Sequence, residues 1–264
     1  MILSYYIYGD IVFEINQLVV LKKDVDKKIY RIKHINQSSV ELIGYNFRSK
    51  IVIELEGIEP APIGLIDEIK KKDIKLQNAI VKNKPRGNKY LFGRILHIDG
   101  DEDYLNSCLE LYNKIGIKSQ GIYMDEKEFP KNIEKYLLQI TPDIIVITGH
   151  DNFNEKDKKD INNYEHSKIF GDTIRLIRKH FIDIVIIAGA CKSHFEYLMG
   201  KGADFASSPG RINTHTFDPA IVAIKVATTS VNQTVEFRDI IKYIEGGTKA
   251  IGGIETKGKM KILY

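Results

Sequence analysis

A histidine and a cysteine each stand just past the end of an apolar run, and as base and nucleophile they are a pair that can do covalent chemistry. The first run reads Asp143-Ile144-Ile145-Val146-Ile147-Thr148-Gly149-His150. The second reads Asp183-Ile184-Val185-Ile186-Ile187-Ala188-Gly189-Ala190-Cys191. Small residues before Cys191 let backbone or substrate approach it closely. The segment after it, Lys192 to Met199, reads as a helix. A helix N-terminus stabilises a thiolate and lowers a thiol's pKa from about 8.5. Cys108 has a different setting, sharing one helical face with Leu105, Leu109 and Tyr112, as a buried structural cysteine does. His34, His97, His166, His180, His194 and His215 read as ordinary surface or core histidines, because none stands behind a buried strand and ahead of a long polar loop as His150 does.

The elements that position this pair are legible in the pattern. Short Ile/Val runs bounded by glycine are strands covered on both faces, as in a parallel sheet. Residues just past their C-terminal ends gather along one edge, where open α/β folds bind ligands. From Tyr90 onward, strands near 91–98, 118–124, 143–148, 183–188 and 205–208 alternate with helices near 101–113, 129–139, 166–180, 193–200, 218–228 and 235–245, with a last strand near 259–264. Right-handed crossovers then give a three-layer α/β/α sandwich with a mostly parallel sheet over residues 90–264. Residues 1–60 instead alternate short β-type runs with polar breaks and predict a small, SH3/KOW-like β-barrel. Between them, 61–89 reads as a basic, exposed, partly helical linker; over 66–89 eight basic side chains face three acidic ones.

Composition narrows the classes. The chain has 264 residues, 28% charged and 43% hydrophobic, as globular domains do. No apolar stretch approaches the roughly 20 residues of a membrane span. The segment Met1 to Tyr6 lacks the basic flank and small-residue cleavage site of a secretory signal, so a chain made and used inside a cell is expected. Two cysteines do not make a disulfide framework. A net charge of +4 is too weak to argue for nucleic acid.

A histidine after one apolar strand and Ala-Cys after the next, 41 residues on, resembles the caspase-like cysteine peptidases, a group that includes caspases, legumains, gingipains and clostripain. His150-Asp151 stands where that group has His-Gly, and Gly189-Ala190-Cys191 where caspases have Gln-Ala-Cys. A closer resemblance covers nearly the whole chain. His97-Ile98-Asp99-Gly100-Asp101, Ile147-Thr148-Gly149-His150-Asp151, Ala188-Gly189-Ala190-Cys191 and Ala206-Ser207-Ser208-Pro209 are similar to the sporulation-specific YabG peptidases, as are the small N-terminal barrel and the length. That resemblance implies a caspase-like fold and a cysteine endopeptidase that cleaves after basic residues, chiefly Arg. It further implies spore coat and cortex-associated proteins as substrates, and a mother-cell cytoplasm that gives way to the coat as its location. Cys191 would attack the scissile carbonyl while His150 serves the leaving amine and then water. The N–H groups of Gly149 and Cys191 are the oxyanion-hole candidates. An arginine at P1 (the residue whose carbonyl is attacked) needs a carboxylate fork. Asp99 and Asp204 lead for that pocket, with Asp151 behind them; Asp101 fits a helix cap. The bond Arg86-Gly87 in the linker is then a candidate for self-cleavage.

Cys191-Lys192-Ser193-His194 has Cys-x2-His spacing that His150-Asp151 could complete, but no paired Cys-x2-Cys knuckle accompanies it, and no metal or other cofactor is expected. No phosphate-binding glycine loop opens a helix, and Ser167, Ser207 and Ser208 lack a nucleophile-elbow context. A thiol-dependent α/β amidase, a catalytically idle scaffold, and a module binding nucleic acid or a coat protein through the barrel and linker are the alternatives.

Overall fold

The computed structural model describes residues 5–8, 11–85, 87, 89–154 and 157–263, which form two compact units, 1–76 and 77–264. The N-terminal unit is antiparallel. Strands β1 (Tyr5–Tyr8) and β2 (Ile11–Glu14) pair as a hairpin. Strands β3 (Leu18–Leu21), β4 (Ile29–Ile35), β5 (Ser39–Gly44), β6 (Lys50–Glu54) and β7 (Ile58–Pro60) form a sheet in the order β6-β5-β4-β3-β7. Its core gathers Phe13, Val19, Tyr30, Ile32, Ile35, Val40, Leu42, Phe47, Leu55 and Ile58. The segment read as a linker holds a 20-residue helix, α1 (Ile63–Lys82). Its apolar stripe has a partner: Leu65, Ile66 and Ile69 lie against Val20, Ile29 and Ala61.

The second unit is built on a six-stranded sheet with the order β10-β9-β11-β12-β13-β14. Along the chain run β8 (Tyr90–Leu91), β9 (Ile95–Asp99), α2 (Glu102–Ile115), β10 (Ser119–Tyr123), α3 (Phe129–Ile140), β11 (Ile144–Thr148), α4 (Ser167–His180) and β12 (Val185–Ala188). Then follow α5 (Phe195–Gly200), β13 (Phe205–Ser207), α6 (Asp218–Thr228), α7 (Phe237–Ile241), β14 (Ile251–Gly253) and β15 (Lys261–Ile262). Strands β9 to β13 are mutually parallel and β14 runs antiparallel to β13. The strands read as apolar because helices cover both faces. Leu96, Ile98, Ile145, Ile147 and Ile186 meet Phe129, Ile133, Leu137, Phe170, Ile174 and Ile177 of α3 and α4. Helices α2 and α6 pack on one another and on β9 and β11 respectively.

Four elements differ from the sequence pattern. The strand expected over 91–98 is two strands in separate sheets, β8 paired with β15 and β9 inside the six-stranded sheet. Gly252-Gly253, a pair that local rules read as a turn, lies inside strand β14: a Cβ at these glycines would sit 2.6 Å from the Phe195 ring and 2.2 Å from the Phe205 ring, so the edge strand can approach only without side chains. The helix expected over 235–245 shortens to α7, because Val235 N–H is drawn to the Thr256 carbonyl at 2.8 Å. The helix after Cys191 starts only at Phe195.

Candidate active site

The chain leaves β9 towards β10 on one side and returns to β11 on the other, so the strand order reverses between β9 and β11. Such a switch point opens a crevice at the C-terminal ends of the strands. Asp99, Gly100 and Asp101 leave β9 there, and Gly149 and His150 leave β11 beside them; the Gly100 N–H donates to the Thr148 carbonyl at 3.0 Å. Below the crevice a polar chain runs through the interior. Thr148 Oγ1 donates to Asp99 Oδ2 at 2.8 Å and therefore accepts from His97 Nε2 at 2.8 Å; His97 Nδ1 lies 3.1 Å from the Tyr112 hydroxyl. Asp99 Oδ1 accepts the Asp101 N–H at 3.0 Å. Asp101 in turn caps α2, with Oδ1 taking the N–H groups of Asp103 and Tyr104 at 3.0 and 3.1 Å. Buried carboxylates need such donors.

His150 sits between two carboxylates. Its Nε2 is 3.6 Å from Asp101 Oδ2 and its Nδ1 is 3.7 Å from Glu126 Oε1, both just beyond hydrogen-bonding length. Nε2 is buried without a hydrogen-bond partner. The ring tilts against Tyr104 with centroids 5.8 Å apart. The His150 N–H donates to Glu126 Oε1 at 2.8 Å, and the His150 carbonyl accepts from His166 Nδ1 at 2.8 Å. Burial would raise the Glu126 carboxyl, but its hydrogen bonds and the adjacent imidazole of His150 hold it below the ordinary carboxylate range.

Cys191 lies past β12 at the same edge. The ladder pairs Ile144 with Val185 through Ile147 with Ala188, and the Gly189 N–H still reaches the Ile147 carbonyl at 3.0 Å. His150 and Cys191 each follow the last registered pair by three residues. The thiol is 1% exposed. Its Sγ accepts the Thr214 N–H at 3.0 Å and lies 3.5 Å from Thr214 Oγ1. Lys192, next in the chain, takes the left-handed backbone at φ 58°, a conformation uncommon for a non-glycine residue. The donor at the sulfur is thus a backbone amide of the loop before α6. The start of α5 is four residues away, and there Tyr197 N–H is taken by His194 Nδ1 at 3.3 Å.

The other residues singled out by the sequence fall in distinct places. Asp151 is a hub. It accepts from Asn152 N–H at 2.9 Å, His166 N–H at 2.8 Å and Ser193 Oγ at 3.0 Å, and also from Ser167 Oγ. Ser193 Oγ accepts the Ala190 N–H at 2.9 Å, so the hub ties the chain after His150 to the turn carrying Cys191. Burial pushes the Asp151 carboxyl up in spite of these donors. Asp204 precedes β13 and faces Arg178 Nη2 at 2.5 Å and the Ile186 N–H at 2.7 Å. Asp99 stays at the His150 edge, fully buried. Gly149 lies under the Glu126 carboxylate. Arg86 lies outside the described residues. His194 is a buried cap residue whose Nε2 donates to the Lys159 carbonyl at 3.1 Å. Among the described residues no group of three or more His, Cys, Asp or Glu is placed to hold a metal ion. Nor is any described helix long and apolar enough to cross a membrane. Sequence reasoning missed Glu126 and Thr214. For Glu126 the available signal was its place just past β10, the neighbour of β9 at the same edge; for Thr214 there was none.

The family model described as YabG peptidase U57 matches residues 8–264. The chain is 43% identical over 175 residues to the sporulation-specific protease YabG of Bacillus subtilis (strain 168), an alignment covering 64% of this chain and 60% of that protein. The match thus spans less than two thirds of that relative's length.

Proposed function

The chain belongs to the YabG peptidase U57 family, and from that premise we propose that it is a cysteine endopeptidase acting in sporulation with Cys191 as nucleophile and His150 as acid–base partner. The observation that carries the reading is the shared edge: a thiol whose sulfur accepts a backbone N–H, and an imidazole bracketed by carboxylates, leave adjacent strands three residues past the same registered pair. An N–H at the sulfur favours the thiolate, the attacking species. Attack forms the S–C bond and the tetrahedral oxyanion, which the N–H groups of Gly149 and Cys191 would receive. His150 passes its proton to the leaving amine as the C–N bond breaks, then takes a proton from the water that releases the acyl group and regenerates the thiol pair.

The strand order and the antiparallel β14 suit a caspase-like sandwich, and the N-terminal sheet suits an SH3-like barrel. Cleavage after Arg points to Asp99 for the acidic wall, the leading candidate that lies at the His150 edge, with Asp204 and Asp151 as the other candidates. Asp99 and Asp151 each have both oxygens engaged by internal donors, whereas the contacts of Asp204 fall on Oδ2. Spore coat and cortex-associated proteins are the proposed substrates, met first in the mother cell and then in the coat, and Arg86-Gly87 is the proposed self-cleavage bond. The test is cleavage of an Arg-containing protein by the wild type beside Cys191→Ala and His150→Ala, with a peptide series varied only at P1. Both variants should lose activity by at least about 1,000-fold. Wild-type cleavage by either variant overturns the dyad, and indifference to P1 Arg favours a thiol amidase.

A further inference from the structure

We infer that Glu126 is a positioning residue for His150: it fixes the strand-end peptide that carries the imidazole and sets a carboxylate on the Nδ1 side, leaving Nε2 for the thiol and the leaving amine. The inference rests on the dyad proposed above. Three observations on different atoms support it.

The first is the bond from the His150 N–H to Glu126 Oε1 at 2.8 Å. The same oxygen lies 3.7 Å from Nδ1, so one carboxylate faces both the backbone and the ring of His150. A histidine whose Nδ1 faces a carboxylate presents Nε2 to the reaction and is stabilised once protonated. Here Nε2 is buried without a hydrogen-bond partner, 3.6 Å from Asp101 Oδ2.

The second is space. A Cβ on Gly100 would stand 2.1 Å from Glu126 Oε1, and a Cβ on Gly149 2.4 Å from the same atom. Two glycines from two strands therefore make the slot through which the carboxylate reaches His150. The third is local structure. Glu126 opens a single 3-10 turn, Glu126–Glu128, held by Asp125, whose side chain accepts the Lys127 N–H at 2.9 Å. The turn leads directly into α3, whose Phe129 is buried in the core, so the glutamate backbone is anchored on a rigid element.

Every other group facing the imidazole has a separate task or bears on a different atom. Asp101 caps α2 through Oδ1 and faces Nε2 through Oδ2; Tyr104 packs on the ring; His166 holds the His150 carbonyl. Among the described residues, only Glu126 is seen both to accept the His150 peptide N–H and to lie beside Nδ1.

The experiment is steady-state cleavage of an Arg-containing peptide by the full chain, comparing wild type, Glu126→Gln, Glu126→Asp, Gly149→Ala, Cys191→Ala and His150→Ala, with folding checked by circular dichroism. Glu126→Gln keeps an oxygen for the His150 N–H and keeps the shape, so a merely structural role would leave kcat unchanged. A positioning role predicts kcat lower by about 10- to 100-fold with KM within about two-fold. Gly149→Ala should give the same kcat loss by displacing the carboxylate, and Glu126→Asp should recover part of it. Wild-type kcat in Glu126→Gln, with Cys191→Ala and His150→Ala inactive, overturns the role of Glu126 alone. Activity in Cys191→Ala or His150→Ala overturns the dyad beneath it.

Discussion

Removing the Asp151 carboxylate should loosen the second unit by a predictable amount. Its two oxygens receive the N–H groups of Asn152 and His166 and the hydroxyls of Ser167 and Ser193. Asp151→Ala leaves four donors stranded at a site only 7% exposed. Each buried donor without an acceptor costs about 1–3 kcal/mol. Against this stands the recovered cost of burying a charge, which is large enough here to push the carboxyl above its ordinary value. The balance is a loss of about 2–4 kcal/mol for Asp151→Ala and about 1–2 kcal/mol for Asp151→Asn, which keeps an oxygen for the two backbone N–H groups. The pH dependence has a definite sign. With its pKa raised in the fold, Asp151 binds a proton in the native chain at pH values where the unfolded chain releases it. The wild type therefore gains stability relative to Asp151→Asn as pH falls from 7, and the gain levels off below the ordinary value of about 3.9. Cys108 is a convenient reporter, being fully buried within the same unit. Pulsed alkylation of Cys108 across a urea series, read by mass spectrometry at pH 7 and pH 4.5, gives each variant's midpoint. A loss under about 1 kcal/mol in Asp151→Ala, or a gap between wild type and Asp151→Asn that narrows on acidification, would refute the hub.

The remaining predictions are shorter. Glu126 has the opposite sign: its lowered pKa contributes stability above the ordinary value of about 4.3 that is lost as pH falls through the folded value, so the gap between wild type and Glu126→Gln in the same alkylation assay should narrow in acid. Asp204→Asn weakens the contact with Arg178 and the Ile186 N–H at the opposite ends of the strands; it should cost about 1–3 kcal/mol while leaving kcat/KM on Arg substrates within a few-fold, and a selective loss of Arg cleavage would move the P1 pocket there. Gly253→Val drives a side chain into the Phe205 ring and the Asp204 carbonyl, and a melting temperature equal to wild type would show that β14 does not need its glycines. Arg86→Gln should leave the chain as one band on long incubation while the wild type is nicked at 86–87; equal nicking in both would place the cut elsewhere.

Much of the second unit was legible because its strands are buried on both faces and its helices carry ordinary punctuation. Asp101 before α2 and Gly116 after it, the latter left-handed at φ 88°, mark that helix as local rules require. The edge strand β14 was hidden because its glycines answer to aromatic rings distant in sequence, which local turn rules do not see. The His150 and Cys191 positions could be read from strand ends, whereas their partners could not. Glu126, Thr214 and the donors of Asp151 come from four separate loops, and their convergence is a product of tertiary packing. Asp204 misleads from sequence alone: it stands before its strand, at the end remote from the crevice, where Arg178 claims it.

The ladder between β11 and β12 makes the site unevenly tolerant of length change. The histidine and the cysteine are each spaced from one registered pair, Ile147 with Ala188. Residues gained or lost in the long loop 151–166, or a whole turn added to α4, leave that pairing untouched. One residue deleted within Val185–Ala188 would carry the thiol to the other side of the sheet and put Lys192 in its place. Natural drift in this protein should therefore collect between the two strands as insertions, while the count from each strand to its reactive side chain stays fixed.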